Sequence, residues 1–150
     1  MSLTDQHEWL QPEAVHDEVI LEVDEPVAGL VLRLSLVVTP AGRHVHLVVS
    51  IGRVRARHDA EHVGPTTTNW DRMRLGGVEW RMVEPLQRWD LSVEDLEAGL
   101  RSYLSFTGTA PPALLFEGYE QVGVVNGQVQ LADLRTTVTN APARRAHIWR

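Results

Sequence analysis

The sequence predicts an all-β, antiparallel fold, and three observations carry that prediction. Apolar residues recur at every second position over most of the chain. Turn-forming residues punctuate these runs at short spacing, and no segment sustains the 3.6-residue period of a helix. About nine or ten strands spaced this way imply a barrel or a sandwich.

The first strand is marked by Val15, Val19, Leu21 and Val23 on one face, with His16, Glu18 and Glu22 opposite. Leu30, Leu32, Leu34, Leu36 and Val38 form a longer stripe, answered by Arg33 and Ser35. Thr39-Pro40-Ala41-Gly42-Arg43 reads as a turn, because proline presets φ and glycine admits positive φ. Val45, Leu47, Val49 and Ile51 then return as a paired strand. Residues 58–76 show no period and read as a long loop containing at most a helical turn. After Gly76-Gly77 alternation resumes: Val78, Trp80 and Met82; then Trp89, Leu91 and Val93; then Leu100, Ser102, Leu104 and Phe106. Leu96-Glu97-Ala98-Gly99 is too short for a helix. Asn126-Gly127 between Val122–Val125 and Gln128–Leu131 predicts a two-residue type I′ hairpin, which needs positive φ at both central positions. Thr136–Thr139 and Ala146–Trp149 supply the last strands.

At 150 residues the chain fits one domain spanning 1–150, with residues 1–14 as a loose leading segment. A net charge of −6 argues against nucleic acid as a partner, since phosphate neutralisation needs a concentrated basic surface. With no cysteine, thiolate catalysis and cysteine-held metals are excluded. All 14 basic residues are arginine, so neither a Schiff-base lysine nor a P-loop is available. The first residues form no signal peptide, and no run of about 18 apolar residues offers a membrane span. A cytoplasmic location follows as the expectation.

Few constellations point to chemistry. His44-Val45-His46 places two imidazoles on one strand face, a spacing that suits zinc or iron when a third ligand joins. If Val45 and Leu47 face the core, both rings face solvent, so no metal site is expected. His58 and His62 fall in the polar stretch and read as exposed. No serine lies in a nucleophile elbow, and no glycine-rich phosphate loop exists. The credible acid–base groups are Glu79, Glu84, Glu117 and Glu120, on or beside apolar strands where desolvation raises a carboxyl pKa. Trp70, Trp80, Trp89 and Trp149 bring flat apolar area for a core or a ligand pocket.

Four ordered motifs in the second half carry a family resemblance. They are Met82-Val83-Glu84-Pro85-Leu86-Gln87-Arg88-Trp89, Phe106-Thr107-Gly108-Thr109-Ala110-Pro111-Pro112, Tyr119-Glu120-Gln121-Val122-Gly123-Val124-Val125-Asn126-Gly127, and the tail Arg145-Ala146-His147-Ile148-Trp149-Arg150. Together they resemble the lipocalin-like family of AttH and carotenoid 1,2-hydratase (hydroxyneurosporene synthase), in particular its N-terminal domain. The tail matches the family's last motif at arginine, histidine and tryptophan and departs from it at aspartate, serine and glycine. The resemblance implies a lipocalin-like barrel or half-barrel that binds a hydrophobic small molecule, of isoprenoid, lipid or polyketide-like character. It implies hydratase or cyclase chemistry without a cofactor, with Glu120 and His147 protonating an alkene or orienting water. Trp80, Glu84, Trp89, Tyr119 and Trp149 are the expected ligand-binding residues. Because the family carries two tandem domains, a homodimer or a partner domain is a further expectation. The alternative is a non-catalytic barrel filled by its own side chains.

Overall fold

A computed structural model describes residues 14–64 and 69–150. Among the described residues eleven strands make one antiparallel sheet: β1 Asp17–Glu25, β2 Leu30–Thr39, β3 Gly42–Ile51, β4 Val54–Val63, β5 Arg72–Leu75, β6 Val78–Glu84, β7 Arg88–Asp95, β8 Leu100–Gly108, β9 Ala113–Leu115, β10 Gly118–Leu131 and β11 Leu134–Trp149. Ten of them follow the order β4-β3-β2-β1-β11-β10-β8-β7-β6-β5, and β9 lies beside β10 off that path. The two end strands, β4 and β5, touch without a hydrogen-bonded ladder, so the sheet curls into a nearly closed barrel. Two side chains bridge that seam. Arg43 Nη1 donates to the Arg74 carbonyl at 3.2 Å, and His58 Nδ1 meets Asp95 Oδ2 at 2.7 Å.

The alternating stripes line the barrel's interior, as the pleat requires. Leu30, Leu32, Leu34, Leu36 and Val38 are buried on β2, and Val45, Leu47, Val49 and Ile51 on β3. Their register sets Leu34 opposite Leu47 and Leu32 opposite Val49. Full burial of one such side chain contributes about 1.5–3 kcal/mol, which is why slippage by one residue is not tolerated here. Trp80 on β6 stacks on Trp89 on β7, with ring centroids 6.5 Å apart and planes 13° from parallel.

Two hairpins close by the same device. In the β1–β2 turn Glu25 Oε2 accepts from the Ala28 amide, and in the β7–β8 turn Asp95 Oδ1 accepts from the Ala98 amide. Each turn then exits through a glycine at φ +67°, Gly29 or Gly99. The run Leu96–Gly99 is therefore a capped turn rather than a helix.

Three expectations need correction. Within the loop expected over 58–76, residues 58–63 complete β4, paired with β3 from Gly42↔Val63 to Leu47↔His58, and Arg72–Leu75 form β5. The alternation was masked because the inward positions are Ala56, His58 and Ala60 instead of large apolar residues. Asn126-Gly127 is not a hairpin. β10 passes straight through it with a bulge between Val125 and Gly127. Gly127 sits at φ +146°, where an added Cβ would lie 2.0 Å from the Tyr103 carbonyl oxygen, so close strand approach is the reason for glycine. The Asn126 side chain is spent on Asn140, accepting from its amide at 2.9 Å. The two-glycine hairpin turn is Gly76-Gly77, at φ +53° and +83°, joining Leu75 to Val78. Finally, Thr136–Thr139 and Ala146–Trp149 belong to one 16-residue strand, β11. The leading segment expected at 1–14 lies, but for Ala14, outside the described residues.

Candidate functional site

One end of the barrel interior departs from the apolar rule. On β11, Arg145, His147 and Trp149 share the inner face by their period-two spacing, and on β10 Tyr119 and Gln121 do the same. The register places Tyr119 beside His147 and Gln121 beside Arg145. β1 pairs with the other side of β11 and brings Asp17 opposite Trp149. Trp70 enters from the segment preceding β5. Asp17, Trp70, Tyr119, Gln121, Arg145 and His147 are each no more than 2 % exposed.

These side chains form a continuous polar chain. Asp17 Oδ1 lies 2.6 Å from His147 Nε2 and accepts from Trp70 Nε1 at 2.9 Å. His147 Nδ1 faces the Tyr119 hydroxyl at 3.5 Å. Arg145 donates through Nη1 to the Tyr119 oxygen and through Nη2 to Gln121 Oε1, both at 3.1 Å. Gln121 Nε2 ends the chain on the carbonyls of Leu86 and Ala110, at 2.9 and 3.0 Å. The Arg145 guanidinium lies flat over Trp89, 3.4 Å from the ring centroid, a cation–π contact that favours charge where water is excluded. Gly108 gives the Gln121 amide its room, since a Cβ there would meet Nε2 at 2.1 Å.

The partners fix the proton positions in the neutral imidazole. Nε2 carries the hydrogen that Asp17 accepts, so Nδ1 turns its lone pair toward the Tyr119 hydroxyl. Tyr119 accepts from a guanidinium and donates toward an imidazole, which itself leans on a carboxyl group. Such an arrangement can deliver a proton from the phenol oxygen and recover it through His147. Trp149, half-buried, stands edge-on to His147 at 4.9 Å and to Tyr119 at 6.1 Å, at the margin between the chain and solvent.

The expected site residues are distributed unevenly around this chain. Tyr119, His147, Trp149 and Trp89 gather in it. Trp80 is buried but stacks on Trp89 and meets no polar member of the chain through a hydrogen bond among the described residues. Glu84 is exposed at the end of β6. Glu120 and His147 are not brought together: Glu120 is on the outer face, where its Oε2 accepts from Arg144 Nε at 2.8 Å. Asp17, Gln121 and Arg145 were not singled out as site residues. Their signal was polar residues at inward period-two positions, Tyr119-x-Gln121 and Arg145-x-His147. On the outer face of β3, His44 and His46 are turned from the core as expected, and His46 pairs with Asp59. His58 instead points inward. Among the described residues no three histidine or acidic side chains are grouped to hold a metal. No helix among them is long and apolar enough to cross a membrane.

No protein-family model matches this sequence. No curated protein matches it either. Among solved structures, kievitone hydratase from Nectria haematococca superposes with a TM-score of 0.58 at 10% sequence identity, over 97% of this chain and 50% of that one. This chain thus spans about half the length of the hydratase. At that identity the likeness speaks for architecture alone: the chain shares the β-barrel fold of that protein.

Proposed function

We propose that the barrel binds a hydrophobic small molecule at the end lined by Tyr119, His147 and Trp149, and adds or removes water there by acid–base catalysis. The observation that supports this reading is the unbroken buried chain from Asp17 through His147 and Tyr119 to Arg145 and Gln121. Burying a guanidinium and a carboxyl group in an apolar barrel costs several kcal/mol per ion, and an all-leucine interior of equal volume would be the more stable solution. Buried ionisable groups held this way cluster at functional sites. In this assignment Tyr119 donates to a double bond, His147 takes the proton of the entering water, and Asp17 holds the imidazole. Glu120 takes no part. The fold neighbour is a hydratase, which agrees with water as the second reactant.

The test is incubation with isoprenoid, fatty and polyketide-like alkenes in oxygen-18 water, read by mass spectrometry. Uptake of one labelled oxygen by the wild type and its loss in His147→Gln are expected. Absence of label from every alkene class, with intact fold, would remove the catalytic assignment.

One observation favours a second reading. Trp70, Trp80, Trp89 and Phe106 already fill much of the interior, as a packed, non-catalytic barrel or one protomer of a double-barrel assembly would have it. Native mass spectrometry separates these: bound ligand supports the first reading, a ligand-free dimer the second.

A further inference from the structure

The outer wall of the barrel carries a second arrangement, away from the buried polar chain. On β7, β8, β10 and β11 the outward residues line up across the strands in two rungs. Ser92, Tyr103 and Gln128 stand side by side in the first, and Glu94, Arg101, Gln130 and Arg135 in the second. A groove of about 380 Å³ lies over both rungs, just past the β10 bulge, and a bulge bends the strand that carries it.

Tyr103 is the aromatic member of this groove. It is 55 % exposed, yet its hydroxyl is tied down, donating to Asp90 Oδ2 at 3.2 Å. Asp90 is buried and receives further hydrogen bonds from Ser105 Oγ at 2.8 Å and Arg81 Nη2 at 3.2 Å. An aromatic plate is thus pinned at its hydroxyl end while more than half of the residue stays open to solvent. The second rung is bonded more loosely. Arg101 Nη2 lies 3.6 Å from Glu94 Oε1, and Arg135 Nη2 donates to Gln130 Oε1 at 3.4 Å. Exposed ion pairs of this kind are worth about 0–1 kcal/mol, so a ligand's polar groups compete with these contacts at little cost.

We propose that this groove binds a neutral saccharide, one of whose sugar rings lies on the Tyr103 ring. A sugar has the two properties that the groove matches. Its C–H face is apolar and packs on an aromatic plate, and its hydroxyls both donate and accept. The rungs present both kinds of partner: Glu94 only accepts, Arg101 and Arg135 only donate, and Gln128 and Gln130 do both. A small anion would meet the Glu94 carboxylate and leave Tyr103 unused. An apolar ligand would strip water from guanidinium groups without replacing it. The volume falls in the range of small-molecule sites, about 300–1,000 Å³. Because Asp90 already fixes the ring, little side-chain freedom is lost on binding. The groove is separate from the inward chain of Tyr119 and His147, and the proposal stands or falls without the hydration reading.

The experiment titrates full-length wild type, Tyr103→Ala and Gln128→Ala by calorimetry. The probes are neutral disaccharides of glucose, galactose, mannose and N-acetylglucosamine, with inorganic phosphate and citrate as anions. At least one disaccharide should bind the wild type at about 1 mM or tighter, and saturation-transfer NMR should mark its carbon-bound ring protons. Tyr103→Ala should weaken that binding by about tenfold or more, and Gln128→Ala by a smaller factor. Both substitutions are on exposed outward positions; should Tyr103→Ala fail to fold, Gln128→Ala decides alone. Disaccharide binding unchanged in the folded variants overturns the proposal, since the sugar then sits elsewhere. So does the failure of every disaccharide to bind below about 10 mM. Phosphate or citrate binding in place of all the sugars overturns it as well, and assigns Arg101 and Arg135 to an anion instead.

Discussion

The β2–β3 hairpin and the β10–β11 hairpin are built by the same rule and loaded with opposite cargo. Both belong to one sheet, and both turn alternate residues into the barrel, β10 with a bulge between Val125 and Gly127. The buried residues on the inner face of β2–β3 are all leucine, valine or isoleucine, with Arg43 at its rim. The inner face at the open end of β10–β11 carries Tyr119, Gln121, Arg145 and His147. The first half of that contrast supplies burial energy; the second spends some of it to hold ionisable groups out of water. The difference teaches that strand periodicity fixes where a side chain points, while the chemistry of the inward residues decides whether the position adds to the apolar core or to a buried polar chain.

The largest effect belongs to the apolar side. Leu47→Ala opens a cavity in the β2–β3 stripe and should cost about 2–5 kcal/mol in urea unfolding, with labelled-water uptake by the folded fraction unchanged. On the polar side, Asp17→Ala orphans His147 Nε2 and Trp70 Nε1 together. At about 1–3 kcal/mol for each buried donor left unmade, it approaches the leucine deletion in stability and differs from it by abolishing uptake. Equal retention of uptake in both variants would erase the contrast.

A smaller effect comes with acid. Asp90 lies under the outer surface of β7; burial pushes its pKa up, but hydrogen bonds from Ser105, Arg81 and Tyr103 with the Arg88 charge outweigh it, so the net is a lowered pKa. Asp95 is lowered chiefly by its bond from His58 and then by the Ala98 amide. Both carboxyls ionise more readily folded than unfolded. Their contribution is therefore complete above the unfolded value, about 3.9, and is lost as pH falls through the lower folded values. Melting temperature should drop below about pH 4, less steeply in Asp90→Asn. Steepness unchanged by that substitution would assign the acid sensitivity elsewhere. The smallest change is expected for Glu120→Gln. It breaks a partly exposed pair with Arg144, a kind of contact worth about 0–1 kcal/mol, and a shift beyond that in urea would show Glu120 doing more than the outer face allows.

What could be read from the sequence follows the same division. The stripes on β2, β3, β6, β7 and β8 were legible because their inward residues are large and apolar. The end of β4 was not, because alanine and histidine at inward positions carry no hydropathy signal. Asn126-Gly127 misled because a bulge and a type I′ turn ask for the same residues, and only pairing with β8 tells them apart. Within the site, Tyr119, His147, Trp89 and Trp149 were legible from motif order. Glu120 was misplaced relative to His147 by one residue of pleat: the register matches Tyr119, not Glu120, with His147. Asp17 and Trp70 join from distant parts of the chain, and nothing local announces a contact across 53 residues.

In the proposed function the inward phenol, and not the adjacent outward carboxylate, handles the proton. Tyr119→Phe and Glu120→Gln, compared in oxygen-18 water with an alkene the wild type hydrates, test it on neighbouring positions of one strand. The proposed function predicts that Tyr119→Phe loses labelled-oxygen uptake while remaining folded, and that Glu120→Gln keeps it. Uptake surviving in Tyr119→Phe and vanishing in Glu120→Gln would contradict the claim.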